Sequence, residues 1–132
     1  MARLGLITLD CADPPVLAAF WAELLGGKVV MTTERFVVVS TDRGALTAVR
    51  VPDYQPPIWP SGAPTHIHLD LAVVDLDAAE AEACRLGAQR AVEQPGADRW
   101  RVLLDPAGHP FCLTTQIPMD WPALGASAPA AR

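Results

Sequence analysis

The sequence predicts an α+β protein built from two tandem βαβββ modules. Three observations predict it. Asp13 and Asp75 each precede a helical run, at an offset of 62 residues. Gly26 and Gly87 each stop that run, at an offset of 61, and Gly44 and Gly108 each sit in the turn before a last strand, at 64. Both halves therefore read strand, capped helix, glycine stop, three strands, which is the mark of an internal repeat.

Each element has a local cause. Leu4 to Asp10 is short and mostly apolar, as a strand is. Asp13 before Pro14 pairs a capping side chain with a proline at the first helical position. Leu17, Phe20, Trp21, Leu24 and Leu25 share one face of the helix that follows, and Gly26-Gly27 ends it. Lys28 to Met31, Arg35 to Ser40 and Ala45 to Val51 read as strands, the last two joined by Asp42-Arg43-Gly44. Thr65 to Val73 opens the second copy. Asp75 caps a helix from Leu76 to Leu86, with Leu76, Ala79, Ala83 and Leu86 on one face. Ala91 to Glu93, Trp100 to Leu104 and Pro110 to Thr115 complete it, and Asp105-Pro106-Ala107-Gly108 makes the last turn. The chain thus reads as one domain, with module one at about 3–51, a proline-rich linker at 52–64, module two at about 65–117 and a loose tail at 118–132. Tyr54, Ile58 and Trp59 give the linker enough apolar bulk to pack on the body, and Trp121 is the residue able to anchor the tail.

Bulk properties narrow the function. The chain has 132 residues, is 51% hydrophobic and carries a net charge of −5. Its Lys and Arg residues are scattered, so neither nucleic acid nor an anionic membrane is an expected partner. No apolar run is long enough to span a bilayer. Three cysteines, Cys11, Cys84 and Cys112, form an odd set without CxxC spacing. That pattern suits reduced thiols and a cytoplasmic location.

The run His68-Leu69-Asp70-Leu71-Ala72-Val73-Val74-Asp75-Leu76-Asp77-Ala78-Ala79, followed by Leu86-Gly87-Ala88 and then Leu104-Asp105-Pro106-Ala107-Gly108-His109-Pro110-Phe111-Cys112-Leu113, resembles the second module of the vicinal oxygen chelate (glyoxalase/bleomycin-resistance) superfamily. Leu9 to Gly27, with Phe20-Trp21-Ala22-Glu23-Leu24-Leu25-Gly26, resembles the first. The likeness covers about residues 3–117 and is closest to a glyoxalase-like branch of small bacterial proteins. It implies curled mixed sheets that form a cavity, a homodimer and, in metal-dependent members, one ligand on the first and one on the last strand of each module. Carried onto this chain, those positions are Leu6, Ala48, His68 and Cys112. Leu6 and Ala48 have no donor atom, and a catalytic zinc normally takes three protein ligands. The expectation is therefore that the metal site is lost and that no cofactor is bound.

Strand alternation places His66, His68 and Asp70 on one face and Ile67, Leu69, Leu71 and Val73 on the other. The polar face should line the cavity with Leu6, Ala48 and Cys112, a mostly apolar lining suited to a small, partly apolar organic molecule. His68 is either a satisfied structural histidine or a general base paired with Asp70 or His66. Asp70 either shares that role or meets solvent or Arg101. Trp59 and Trp100 are ligand walls or core, Arg50 and Arg101 bind a ligand carboxylate or lie solvated, Cys112 is a small core residue or a nucleophile, and His109 packs its turn. Two functions follow. One is a metal-independent lyase or isomerase using His68; the other is a module that sequesters a small molecule, as the bleomycin-resistance branch does.

Overall fold

In the computed structural model of the protein, residues 1–120 are described. They fall into two units, Met1–Val51 and Pro52–Met119. The proline-rich segment 52–64 groups with the second unit. Trp121, the expected tail anchor, lies outside the described residues.

The first unit runs β1 (Ile7–Cys11), α1 (Pro14–Leu25), β2 (Lys28–Thr32), β3 (Phe36–Thr41) and β4 (Gly44–Arg50). Its sheet has the order β1-β4-β3-β2, with β1 and β4 parallel and the other pairs antiparallel. The Asp13 carboxylate accepts from the Val16 N–H at 3.3 Å, and Pro14 needs no acceptor at the first helical position. Gly26 ends α1 in the left-handed region, at φ 65°. Leu17, Ala18, Phe20 and Trp21 of α1 are buried, as are Val37, Val39, Leu46 and Ala48. The register pairs Val37 with Ala48 and Val39 with Leu46, so these four share the sheet face that α1 covers. Phe20 and Trp21 meet edge to face with centroids 5.2 Å apart.

The second unit repeats the order: β5 (Leu69–Ala72), α2 (Leu76–Leu86), β6 (Gln89–Arg90), β7 (Trp100–Leu104) and β8 (Pro110–Thr114). Its sheet runs β5-β8-β7-β6, with β5 and β8 parallel. Asp75 caps α2 by accepting from the Ala78 N–H at 3.0 Å. Leu103, Phe111 and Leu113 are fully buried on one face of this sheet, with Ala83 of α2. Arg101 shares that face and reaches Asp77 and Glu80 of α2 at 3.0 and 3.5 Å. Neither four-stranded sheet closes on itself, so each is an open mixed sheet with two edges.

Three expected strands change, and the first begins at Ile7 rather than Leu4, so Leu6 precedes it. The first strand of the second unit begins at Leu69 rather than Thr65, so His66 and His68 precede it. The expected strand 91–93 is absent, and pairing stops at Arg90. A side chain takes its place. Gln94 Oε1 accepts from the Val102 N–H at 2.9 Å, while its Nε2 donates to the Val102 and Ala91 carbonyls at 2.8 and 2.9 Å. The carboxamide satisfies the Val102 N–H and shares the Val102 carbonyl with the Ala91 N–H, which donates at 3.0 Å.

Candidate functional site

Period-two alternation builds the site on the face of the second sheet opposite α2. Asp70 pairs with Cys112, Cys112 with Val102, and Thr114 with Trp100. These side chains form two rows across β5, β8 and β7. His68, two residues before Asp70 and just outside β5, stands beside the first row. Above them the segment 52–65 contributes Trp59, Pro60, Ala63 and Thr65, and the chain after β8 adds Gln116 and Ile117. Together they line an open cavity of about 580 Å³, within the usual range for small-molecule sites.

The polar corner is compact. His68 Nε2 lies 3.3 Å from Asp70 Oδ1, with the two side chains 48% and 46% exposed. The donor atoms of His68, Asp70 and Cys112 all lie within 4.8 Å of one another. Burial, then the Asp70 charge, then a hydrogen bond with Asp70 push the Cys112 thiol up to about 11. Cys112 is therefore a protonated thiol at neutral pH, not an activated nucleophile.

A second polar cluster holds the segment over the cavity. Asp105, buried at the start of the last turn, accepts from the Ala107 and His109 N–H groups, both at 2.9 Å. Its other oxygen takes His109 Nδ1 at 2.7 Å. The Tyr54 hydroxyl lies 3.2 Å from His109 Nε2 and donates to the Ala107 carbonyl at 2.8 Å. At Gly108, φ is 90°, and a Cβ would stand 2.9 Å from the Pro56 side chain. His109 thus has the turn-packing role expected of it, and it also ties down the proline-rich segment.

Of the residues singled out from the sequence, His68, Asp70, Cys112, Trp59 and Trp100 meet at this cavity. His66 is exposed and does not line it. Arg101 does not meet Asp70: it lies on the opposite sheet face, where Asp77 holds it and raises its pKa. Arg50 belongs to the first unit and donates to the carbonyls of Ala12 and Glu34. Those bonds tie the end of β4 to neighbouring loops and leave it a structural explanation. Leu6, 45% exposed, alternates with the inward-facing Ile7 of the same unit.

Ala48 needs a correction. It pairs with Leu9 and Val37 and is 4% exposed, on the face that α1 covers. The residue that pairs in the first sheet as Cys112 does in the second is Thr47, bonded across to Thr8 and Val38. Matching the turn glycines misplaced the register by one residue. Gly44 closes a tight turn as the first residue of β4, whereas Gly108 precedes β8 by two. The Thr47 hydroxyl is buried and has no hydrogen-bond partner among the described residues.

The four positions at which the resemblance implies metal ligands thus read Leu6, Thr47, His68 and Cys112. Leu6 has no donor, and a neutral threonine hydroxyl is a poor ligand for a divalent ion. The residues do not fit the family's shared four-ligand centre. Within the second unit alone, His68, Asp70 and Cys112 are the three side chains able to hold an ion, provided the thiol gives up its proton.

Two mixed sheets of one order, each with a covering helix, define an α+β protein of paired βαβββ units. A glyoxalase-like domain model matches residues 6–114, and the chain belongs to that family. A search of curated protein sequences returns no match. Among solved structures, the chain is similar to a fosfomycin resistance protein from Listeria monocytogenes, complexed with Mn(II) and 1S,2S-dihydroxypropylphosphonic acid. That likeness has a TM-score of 0.68 and 16% identity over 89% of this chain and 92% of the other. A glyoxalase/bleomycin resistance protein/dioxygenase family enzyme from Burkholderia phytofirmans gives 0.64 and 19%, over 85% and 97%. Leishmania major glyoxalase I gives 0.64 and 15%, over 88% of each chain. At these identities the likeness is one of fold. No helix among the described residues is long and apolar enough to cross a membrane.

Proposed function

We propose that this glyoxalase-like protein binds a small, partly apolar organic molecule in the cavity of its second unit, without the usual divalent metal. The observation that carries the reading is the lining. Two indoles, three prolines, a valine and an isoleucine surround one polar corner made by His68, Asp70 and Cys112. Apolar walls with a few convergent polar groups are what a small-molecule site needs.

The His68–Asp70 contact favours an enzymatic form of this reading. A carboxylate 3.3 Å from Nε2 orients the ring and stabilises the imidazolium formed when the base takes a proton. His68 would then act as general base in a metal-independent lyase or isomerase reaction on a small oxygenated substrate. The alternative is a non-catalytic module that sequesters its ligand. The resemblance adds the expectation of a homodimer, and the cysteine pattern that of a cytoplasmic location.

One experiment separates the readings. A thermal-shift screen of small organic molecules on the purified protein finds ligands, and His68→Ala is then compared with the parent. Turnover lost with binding kept establishes the enzyme. No turnover of any bound ligand establishes the sequestering module. Stoichiometric zinc, manganese or nickel in the purified protein, lost in the His68→Ala variant, overturns the metal-free reading.

A further inference from the structure

The cavity has a charge character that its apolar walls conceal. Among the described residues that line it there is no Lys and no Arg. Asp70 is the only residue there that carries a full negative charge, and its side chain is 46% exposed. Its ionic partner among the described residues is His68, which offers a positive charge only when protonated.

Three of the nearby arginines are held in ion pairs, and none of the nearby arginines lines the cavity. Arg101 points away from the cavity face and is held by Asp77 and Glu80. Arg90 pairs with Glu80 at 2.9 Å and Arg85 with Glu82. Arg99 stacks on Trp100, its guanidinium carbon 5.0 Å from the ring centroid. That contact spends one indole on the protein's own cation and leaves Trp59 as the second aromatic wall. Burial first and the Asp70 charge second push the Cys112 thiol up.

We infer that the cavity selects small organic cations, with the ligand's ammonium group at Asp70 and its apolar body against Trp59 and the prolines. This rests on the cavity being the binding site. The reasoning is electrostatic. An ammonium gains a charged hydrogen bond from Asp70 and a favourable approach to an indole face. A carboxylate or phosphonate of the same size meets a like charge, and no guanidinium or ammonium lines the cavity. The net charge of −5 adds a long-range bias of the same sign.

The test uses three probes that share a benzyl group: benzylamine, benzyl alcohol and phenylacetate. Their dissociation constants are measured by calorimetry at pH 7 on the full chain and on Asp70→Asn, with circular dichroism confirming that the variant is folded. Benzylamine should bind about tenfold more tightly than benzyl alcohol, the scale of one charged hydrogen bond. Phenylacetate should bind most weakly. In Asp70→Asn the amine-to-alcohol ratio should fall to near one. Raising salt from 50 to 500 mM should weaken the amine more than the alcohol. Phenylacetate binding best, or an amine preference that survives Asp70→Asn, overturns the inference. Benzyl alcohol bound with no amine preference overturns the charge selection and leaves the cavity reading standing. No binding of any probe at millimolar concentration overturns both.

Discussion

Asp105→Ala should be among the most damaging single substitutions in the second unit, and its cost follows from the turn's geometry. The carboxylate accepts three hydrogen bonds: two from backbone N–H groups at 2.9 Å and one from His109 Nδ1 at 2.7 Å. Its side chain has no exposure to solvent. Alanine removes all three acceptors while the donors stay partly buried. At about 1 kcal/mol for each stranded donor, the low end of the usual range, the loss is about 3 kcal/mol. Asp105→Asn should cost only about 1 kcal/mol. Both backbone donors converge on Oδ1, which an amide oxygen replaces. The amide nitrogen then faces His109 Nδ1, which becomes the acceptor if the imidazole changes tautomer. Urea unfolding followed by tryptophan fluorescence measures both values. Because His109 holds Tyr54, and Tyr54 lies in the segment that carries Trp59, Asp105→Ala should also weaken ligand binding in the folded fraction. A loss below 1 kcal/mol for Asp105→Ala, or equal losses for the two variants, would refute the account of the turn.

Three further outcomes are expected. Gln94→Ala removes the three bonds that stand in for a longer β6, so it should cost about 1–3 kcal/mol in urea and speed amide exchange at Val102 at least tenfold. Gly108→Ala should cost about 1–3 kcal/mol, because its φ of 90° suits glycine and the added methyl meets Pro56. Cys112 should resist iodoacetamide at pH 8 while the exposed Cys84 reacts, and its alkylation should rise towards pH 11. The sign for stability follows from the same shift. The folded-state value lies above the ordinary 9.0, so the contribution is present below pH 9 and is lost as pH rises towards 11. Mass spectrometry of the native protein across pH 7–11 reads the alkylation directly.

Much of the fold was legible because its signals are local. Asp13 and Asp75 cap their helices through bonds to residues three positions on, and Gly26 and Gly87 lie at the helix ends. Such features are decided within one turn of chain, so sequence shows them. What sequence did not show was decided by groups far apart. Gln94 reaches eight residues along to Val102, and nothing in its neighbourhood distinguishes a glutamine that replaces a strand from one on a surface. Tyr54 reaches His109 across 55 positions. The expected strand from Thr65 has the right alternation, but β8 offers partners only from Leu69 onwards.

The candidate site shows the same division, and it shows where counting by family position goes astray. Alternation put His66, His68 and Asp70 on one face, and of these His68 and Asp70 line the cavity while His66, well before β5, does not. The match between the two last strands depended on turn length, and one turn is longer than the other. Ala48 was therefore assigned where Thr47 stands, and a slip of one residue exchanges the two faces of a strand. The correction replaces an inert methyl with a buried hydroxyl that has no partner among the described residues. The ionisable side chains that come together, His68, Asp70 and Cys112, all belong to the second unit. There Asp70, absent from the four family positions, lies next to both His68 and Cys112. Asp70 is the residue on which the readings diverge. Beside a proton-transferring His68 it orients the base, in a binding module it is the counter-ion, and against a metal it is the third ligand. Asp70→Asn therefore tests more than any other single change, since a metal-free binding site loses its preference for cations and a metal site loses its metal.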